Sequence, residues 1–328
     1  MILYILRRIL TMLPTLFGMS LISFMIIQLP PGDYLTSMVA SMSDSGQTID
    51  PAQIERLKEI YGIGEPFYVQ YAKWMWGILA RGDFGYSFEW NQPVAGLIWE
   101  RMGSTLAISF LSLMFVWGVS LPIGIYSAVR RRSLFDHVFT FIGFIGLAVP
   151  GFILALTLMY VGYRYFGQSV GGLYSPEYID ADWSFDKFAD LLAHLWIPIV
   201  IIGASGTAAM IRILRANLTD ELHKPYVVTA RAKGMSEIRL VLRYPVRIAL
   251  NPFVSAIGWV LPHLVSGVTI VAIVLNLPTA GPLLFRALVS QDMYLAGSFI
   301  LLLSALTLVG MLISDVLLAL LDPRIRFH

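Results

Sequence analysis

Charge-bearing side chains fall into one dense group and a few isolated positions. The dense group is Pro225 to Pro252, PYVVTARAKGMSEIRLVLRYPVRIALNP, where Arg231, Lys233, Arg239, Arg243 and Arg247 stand against a single acid, Glu237. Apolar residues recur at helical spacing on both sides of Gly234, which predicts two short amphipathic helices with a break between them. The chemistry open to such a segment is ion pairing, as a solvated face, a lipid-surface helix or a docking site for a partner. The isolated groups offer less. His137, His194, His223, His263 and His328 are scattered singly and give no ligand spacing for a metal. His263, beside Pro262, falls inside an apolar run. An intramembrane ionisable residue there is either a pathway group or a neutral imidazole hydrogen-bonded between helices. Asp315 and Asp322, seven residues apart, share a helix face and are expected to pair with basic residues.

No GxxxxGK[ST], HExxH or GxSxG occurs, so the sequence encodes neither familiar nucleotide hydrolysis nor familiar hydrolase chemistry. Cys is absent, which removes disulfides and thiolate chemistry. These absences turn attention from catalysis to transport.

The elements that must position these residues are membrane spans. The chain is 57% hydrophobic and 13% charged, with a mean hydropathy of +0.72, whereas charged residues alone make up about a quarter of an ordinary soluble domain. Stretches of about 20 apolar residues can cross a bilayer. They are read at Ile9 to Leu29, Thr105 to Val129, Val138 to Tyr160, Leu195 to Leu214, Ala249 to Leu277 and Leu295 to Leu321, which predicts an all-α polytopic protein of six transmembrane helices. The first run is longer than a cleavable signal and no small-residue cleavage site follows it, so it is expected to be retained. Most of the 23 Lys and Arg fall on one face, including Arg7, Arg8 and the triplet Arg130, Arg131 and Arg132. That face is expected to be cytoplasmic, with both termini there, and the triplet is read as a topology signal. The opposite face carries Glu177, Asp180, Asp182, Asp186 and Asp190 in one loop.

Residues 30–103 form an extracytoplasmic segment too long for a plain connection. Asp50, Pro51 and Gln53 predict a helix start, with Ile54, Leu57 and Tyr61 on one face and Gly62 at the end. A second helix is expected from Phe67 to Leu79, with Trp74 and Trp76 suited to the membrane interface; the segment is read as a small external helical cap whose aromatics pack over the bundle. Residues 218–248 form the cytoplasmic loop between spans four and five. Gly and Pro within the spans, such as Gly124, Gly143, Gly146, Pro150, Gly203 and Gly206, permit close helix approach.

With its flanks, the basic segment resembles the cytoplasmic coupling loop of ABC-importer permeases, the EAA loop with its fixed Gly. TARAKG at Thr229 to Gly234 is similar to the form in the dipeptide, oligopeptide and nickel permease family, in the subunit usually encoded first of the pair. YILRRIL at Tyr4 to Leu10, PPGD at Pro30 to Asp33, GDFGYSF at Gly82 to Phe88, the Arg101 to Leu106 entry to span two and LDPRIR at Leu321 to Arg326 follow family patterns in order and spacing. The resemblance covers nearly the whole chain, 1–328, as a single permease domain.

The resemblance implies a membrane-spanning permease subunit of an ATP-driven importer in the bacterial inner membrane, for peptides or similar oligomeric solutes. It pairs with a second homologous permease, and two ATPase subunits dock on the cytoplasmic face and bind the ATP. An extracytoplasmic solute-binding protein delivers the cargo. Membrane lipid surrounds the chain, and nucleic acid has no part. No cofactor is expected in this chain, and no enzymatic activity of its own. The matching coupling helix is Tyr226 to Lys233. The coupling residues are Tyr226, Ala230, Arg231, Ala232, Lys233, Gly234 and Met235, and the pathway candidates are His263 and Asn276.

The local residues agree with a docking helix. Pro225 suits a first helical position and Gly234 the residue just past the end. Ser236 can cap the next helix, with Glu237 near its N-terminus. Ala230 and Ala232 present small surfaces, and Arg231 and Lys233 can reach acids on a partner. Two departures from the family pattern stand out. Pro245 should kink or restart the following helix. Val271 to Thr279 lacks the usual acid and Pro-Gly turn, which leaves oligosaccharide as an alternative cargo. An ion-coupled carrier or channel is the rival of a different class, with His263 as its one coupling candidate.

Overall fold

The computed structural model describes residues 2–28, 65–87, 89–168, 171–255 and 269–321. The helices are α1 (Ile2–Gln28), α2 (Phe67–Trp76), α3 (Val94–Val129), α4 (Leu134–Ala148), α5 (Gly151–Phe166), α6 (Phe185–Leu222), α7 (Pro225–Ala232), α8 (Glu237–Arg243), α9 (Pro245–Ala249), α10 (Thr269–Val274), α11 (Ala280–Val289) and α12 (Met293–Leu321). Two short antiparallel strands, β1 (Tyr86–Ser87) and β2 (Gln92–Pro93), pair Tyr86 with Pro93. Among the described residues four helices are long and apolar enough to cross a membrane, α1, α3, α6 and α12, and the α4–α5 pair makes a fifth if counted as one bent span.

That pair corrects the expected third span. Val138 to Tyr160 is not one straight helix: it breaks at Val149 and Pro150, and the two arms are bent by 105°. Pro150 has no N–H to continue the ladder, and the residue before a proline is driven to extended backbone. Val149 accordingly sits at φ −81°, ψ 121°. The expected fourth span, Leu195 to Leu214, is the middle of a longer helix. At 1.5 Å per residue, the 38 residues of α6 reach about 57 Å, against about 30 Å of hydrocarbon. Its ends therefore stand clear of the apolar layer and carry Asp186 and Lys187 at one end and Asp220 and Glu221 at the other. The middle of the fifth expected span, residues 256–268, lies outside the described residues, as do the first predicted helix of segment 30–103 and Asp322.

The chain divides into two compact units, one of residues 1–6, 104–278 and 307–328, the other of residues 7–103 and 279–306. In the first, glycines set how closely α6 is approached. A Cβ on Gly203 would lie 2.5 Å from the Phe115 ring, one on Gly124 2.8 Å from Leu214, and one on Gly143 3.5 Å from the Ala208 methyl. Gly146 meets the Ala204 carbonyl in the same way, at 3.6 Å. Small residues at these crossings let backbones touch where lipid offers no hydrophobic drive for association. Past these crossings, Leu214 and Leu218 of α6 enter a buried cluster with Val227, Leu240, Val241, Val246 and Phe253. Asp186 and Asp190, expected in the loop, lie in the first turns of α6, where the Asp190 carboxylate accepts from the Ser175 amide and hydroxyl of the preceding loop, both at 2.7 Å. The Lys187 ammonium donates to the Ile179 carbonyl at 3.4 Å and also to that of Ala181.

The second unit is organised around two buried residues. Phe24 of α1 packs against the rings of Phe67, Tyr71 and Trp74, with centroids 5.2, 5.6 and 5.4 Å away. Trp74 is thus a core residue rather than an interfacial anchor, whereas Trp76 is exposed. The other centre is Asp292, 1% exposed. Its carboxylate accepts from the Ser87 hydroxyl, from the Glu89 amide at 3.3 Å and from the Leu295 amide at 3.3 Å. One side chain therefore caps α12 and holds the β1–β2 hairpin. Gly85, at φ +100°, lies flat on Tyr294, where a Cβ would come within 2.6 Å of the ring. The GDFGYSF motif is the hairpin half of this junction.

Candidate functional site

The basic segment folds as a helix, a turn and two further short helices on the end of α6. Lys224 is the N-cap of α7 and Pro225 its first residue. The helix ends in a Schellman motif: Met235 N–H bonds the Ala230 carbonyl at 3.4 Å and Gly234 N–H that of Arg231 at 3.0 Å. Gly234 supplies the left-handed residue at φ +78°, a conformation that costs other L-residues about 1–2 kcal/mol. Among the described residues, its chain neighbours apart, nothing lies within 4 Å of where its Cβ would be.

Val227 is fully buried among Leu218, Leu240 and Val241, which is worth about 2 kcal/mol relative to leaving it exposed. It fixes the rotation of α7. Ala230 and Met235 pack half-buried against the same cluster, so they face the bundle and only Ala232 of the two alanines offers its small surface outward. Tyr226 is exposed, and its hydroxyl donates to the Glu221 carboxylate at 2.5 Å. Burial and then that hydrogen bond push its phenol well above the usual tyrosine range.

Arg231 does not stand free for a partner. It makes a two-point pair with Glu237, Nε to Oε1 at 2.5 Å and a second guanidinium nitrogen to Oε2 at 3.1 Å. Ser236 occupies the N-cap position of α8 without a side-chain cap bond, and Glu237, at the head of that helix, turns its carboxylate back across the Gly234 turn. Those hydrogen bonds hold the Glu237 carboxyl below the usual carboxylate range. A carboxylate depressed in the folded state adds stability that is complete above its unfolded value and lost as pH falls through the folded one. Protection factors across residues 234–240, which allow for the intrinsic pH dependence of amide exchange, should therefore be unchanged from neutral pH down to about 4.3, the ordinary Glu value, and fall only below it. In Glu237→Gln the exchange should be faster already at neutral pH.

Lys233 and Arg239 are exposed and make no ion pair among the described residues. Beside them stand the exposed apolar residues Val228, Ile238 and Leu242. Ile238 and Leu242 were not singled out from the sequence, although their i, i+4 spacing with Arg239 and Arg243 adjacent carries the signal. The surface thus combines an apolar strip with cations at its edge. Pro245 restarts the helix, as its ring requires. It is the first residue of α9 and is buried, while Tyr244 marks the break at φ −114°, ψ −77°.

Of the pathway candidates, His263 lies outside the described residues. Asn276 sits at φ +51° and ends α10 in a second Schellman motif, with Leu277 N–H on the Ala272 carbonyl at 2.8 Å and Asn276 N–H on that of Ile273 at 3.1 Å. Asn stands here where Gly is the commoner choice. Asn276→Gly should raise the thermal midpoint of the assembled protein by a degree or two, consistent with about 0.5–1 kcal/mol of relieved strain. Unchanged uptake in the same variant would assign the side chain to capping.

These features define a polytopic helical membrane protein that carries a basic, partly apolar surface at the end of a long helix. Residues 120–327 match the family described as binding-protein-dependent transport system inner membrane component, and residues 1–109 match the model for its N-terminal part. The chain belongs to this family: it is a multi-pass inner-membrane permease subunit of an ABC importer of the peptide family. It is 34% identical to the oligopeptide transport system permease protein AppB of Bacillus subtilis, over 99% of both chains. To the dipeptide transport system permease protein DppB of Escherichia coli K12 it is 28% identical, again over 99% of both. Its fold is similar to a chain of the MetNI methionine ABC transporter in an inward-facing form, with TM-score 0.51 at 19% identity, covering 69% of this chain and 96% of that one.

Proposed function

We propose that this chain forms half of the translocation pathway for peptides or similar oligomeric solutes, and that α7 couples the pathway to ATPase subunits in the cytoplasm. A second, homologous permease would complete the pathway, and an extracytoplasmic solute-binding protein would deliver the cargo. ATP is bound by the ATPases and not by this chain. The observation that carries the reading is the asymmetry of α7. Val227 anchors one side in the bundle, while Val228, Ala232, Lys233 and Gly234 are exposed on the other. A helix built to lie in lipid wants large apolar residues opposite its cations, whereas Ala232 and Gly234 suit close approach by a protein. On this reading the face bearing Arg7, Arg8 and the α7 loop is cytoplasmic, with both termini on that side.

Peptide is favoured as cargo by the relatives named above. Val271 to Thr279 carries no acid, and this keeps oligosaccharide as the second reading. Uptake into vesicles holding the whole complex should require ATP and the solute-binding protein and accept oligopeptides. Uptake that continued without the ATPases, driven by an ion gradient, would sink the importer mechanism. ATP-driven uptake of oligosaccharides but not peptides would change only the cargo.

A further inference from the structure

Beside the α4–α6 crossing lies a groove of about 120 Å3, well above the roughly 10–15 Å3 that one water needs. Gly143 and Ala208 form its floor. The helices run antiparallel there, since Asp136 meets Arg215 and Gly143 meets Ala208. The lining is therefore graded: Arg212 and Arg215 stand at one end and Phe144 and Leu147 toward the other. From the level of Phe139, opposite Arg212, to Leu147 is eight residues of helix, or about 12 Å. Half the hydrocarbon thickness of a bilayer is about 15 Å.

The charged end is cationic beyond its internal pairing. Arg215 donates to the Asp136 carboxylate at 2.8 Å, and Asp136, 2% exposed, also accepts from the Arg132 amide at 2.9 Å. Arg212 is exposed and makes no ion pair among the described residues. Arg130, Arg131 and Arg132 add further exposed cations at the turn beside Asp136. The walls carry no neutral polar group except Thr140, and the exposed side chains of α4 nearby are Phe141, Ile142, Phe144, Ile145 and Leu147. A hydrated solute would find few partners here.

We propose that this groove holds an anionic phospholipid, with its phosphate on Arg212 and the edge of Arg215 turned away from Asp136, and one acyl chain along Phe144 and Leu147. Basic pockets between membrane helices bind anionic headgroups in this manner, and a groove of about 12 Å receives the part of the tail nearest the headgroup. The orientation proposed above puts the site in the cytoplasmic leaflet, but headgroup preference can be tested independently of it.

The test uses the complete complex purified from mixed phosphatidylglycerol and phosphatidylcholine nanodiscs, with retained lipid counted by native mass spectrometry. Phosphatidylglycerol should be retained in preference to phosphatidylcholine. Arg212→Gln should lower its retention about fivefold, the loss of one cation near the membrane surface. Leu147→Trp, which fills the tail end and leaves the charges, should lower retention of both lipids. A photoreactive group at Phe144 should label lipid. Equal retention of the two lipids, or retention unchanged in Arg212→Gln, would overturn the proposal. So would labelling of the second permease subunit from Phe144, because the groove would then be a protein interface. Should Arg212→Gln fail to assemble, the headgroup comparison and the Phe144 label in the wild-type complex decide.

Discussion

Replacing Gly234 with Leu should abolish ATP-driven uptake, by at least tenfold, while the permease still inserts and folds. Two effects of the substitution can be separated. The backbone effect is the left-handed φ of +78°, about 1–2 kcal/mol for an L-residue. That is enough to fray one turn but small against the stability of a helical bundle. The Cβ itself meets no steric obstacle among the described residues beyond its chain neighbours, because no other atom lies within 4 Å of its position. A loss well beyond the backbone effect is therefore the mark of a molecule that closes over Gly234.

A series makes this decisive. Ala adds strain with little volume, whereas Asn adds volume with little strain, since it tolerates left-handed backbone. If a partner covers Gly234, uptake should fall in the order Leu, then Asn, then Ala, with ATP hydrolysis by the complex losing its dependence on solute. If only the turn matters, Asn should be nearly normal and Ala and Leu similarly impaired. Uptake and ATPase assays on the reconstituted complex, with thermal midpoints to account for folding, distinguish the two orders. Normal uptake in Gly234→Leu would remove α7 as the coupling element.

The boundaries of α7 were legible in the sequence because Pro225 and Gly234 act through their own φ angles, and such constraints need no knowledge of the fold. Which face of α7 points inward was not legible. Val227 and Val228 are the same residue type, and only the arrival of Leu218 and Leu240 from neighbouring helices buries the first. Hydropathy found the apolar run at Val138 to Tyr160 but not the 105° bend, since a sliding average does not register Pro150. At Asn276 the structure adds a helix end to the pathway reading. Leu277 and Pro278 after it carry the sign of that end, since proline commonly follows a C-cap. Arg231 read as a free cation because its acid lies across a turn, at a spacing that no helix periodicity predicts.

The second large effect is expected at Asp292. Among the described residues its carboxylate ties the Ser87 hydroxyl, the Glu89 amide and the α12 amide of Leu295, at 1% exposure. Truncation to Ala removes an N-cap, worth about 1 kcal/mol, and leaves buried donors without acceptors at about 1–3 kcal/mol. A total near 3 kcal/mol should lower the thermal midpoint of the complex by several degrees and admit protease between Gly85 and Asn91. Asn keeps an acceptor and an adequate cap, so Asp292→Asn should recover more than half of the loss. If the hairpin owed its position chiefly to Arg286 stacked 5.7 Å over Trp90, Asp292→Ala would leave it protected and Arg286→Ala would release it. The exposed stack should contribute only about 0.5–1 kcal/mol, so the protease should cut the Asp292 variant first. The 205-residue separation of Ser87 and Asp292 also accounts for why GDFGYSF reads as an isolated motif: it is one half of a joint whose other half is the QDMY turn before α12.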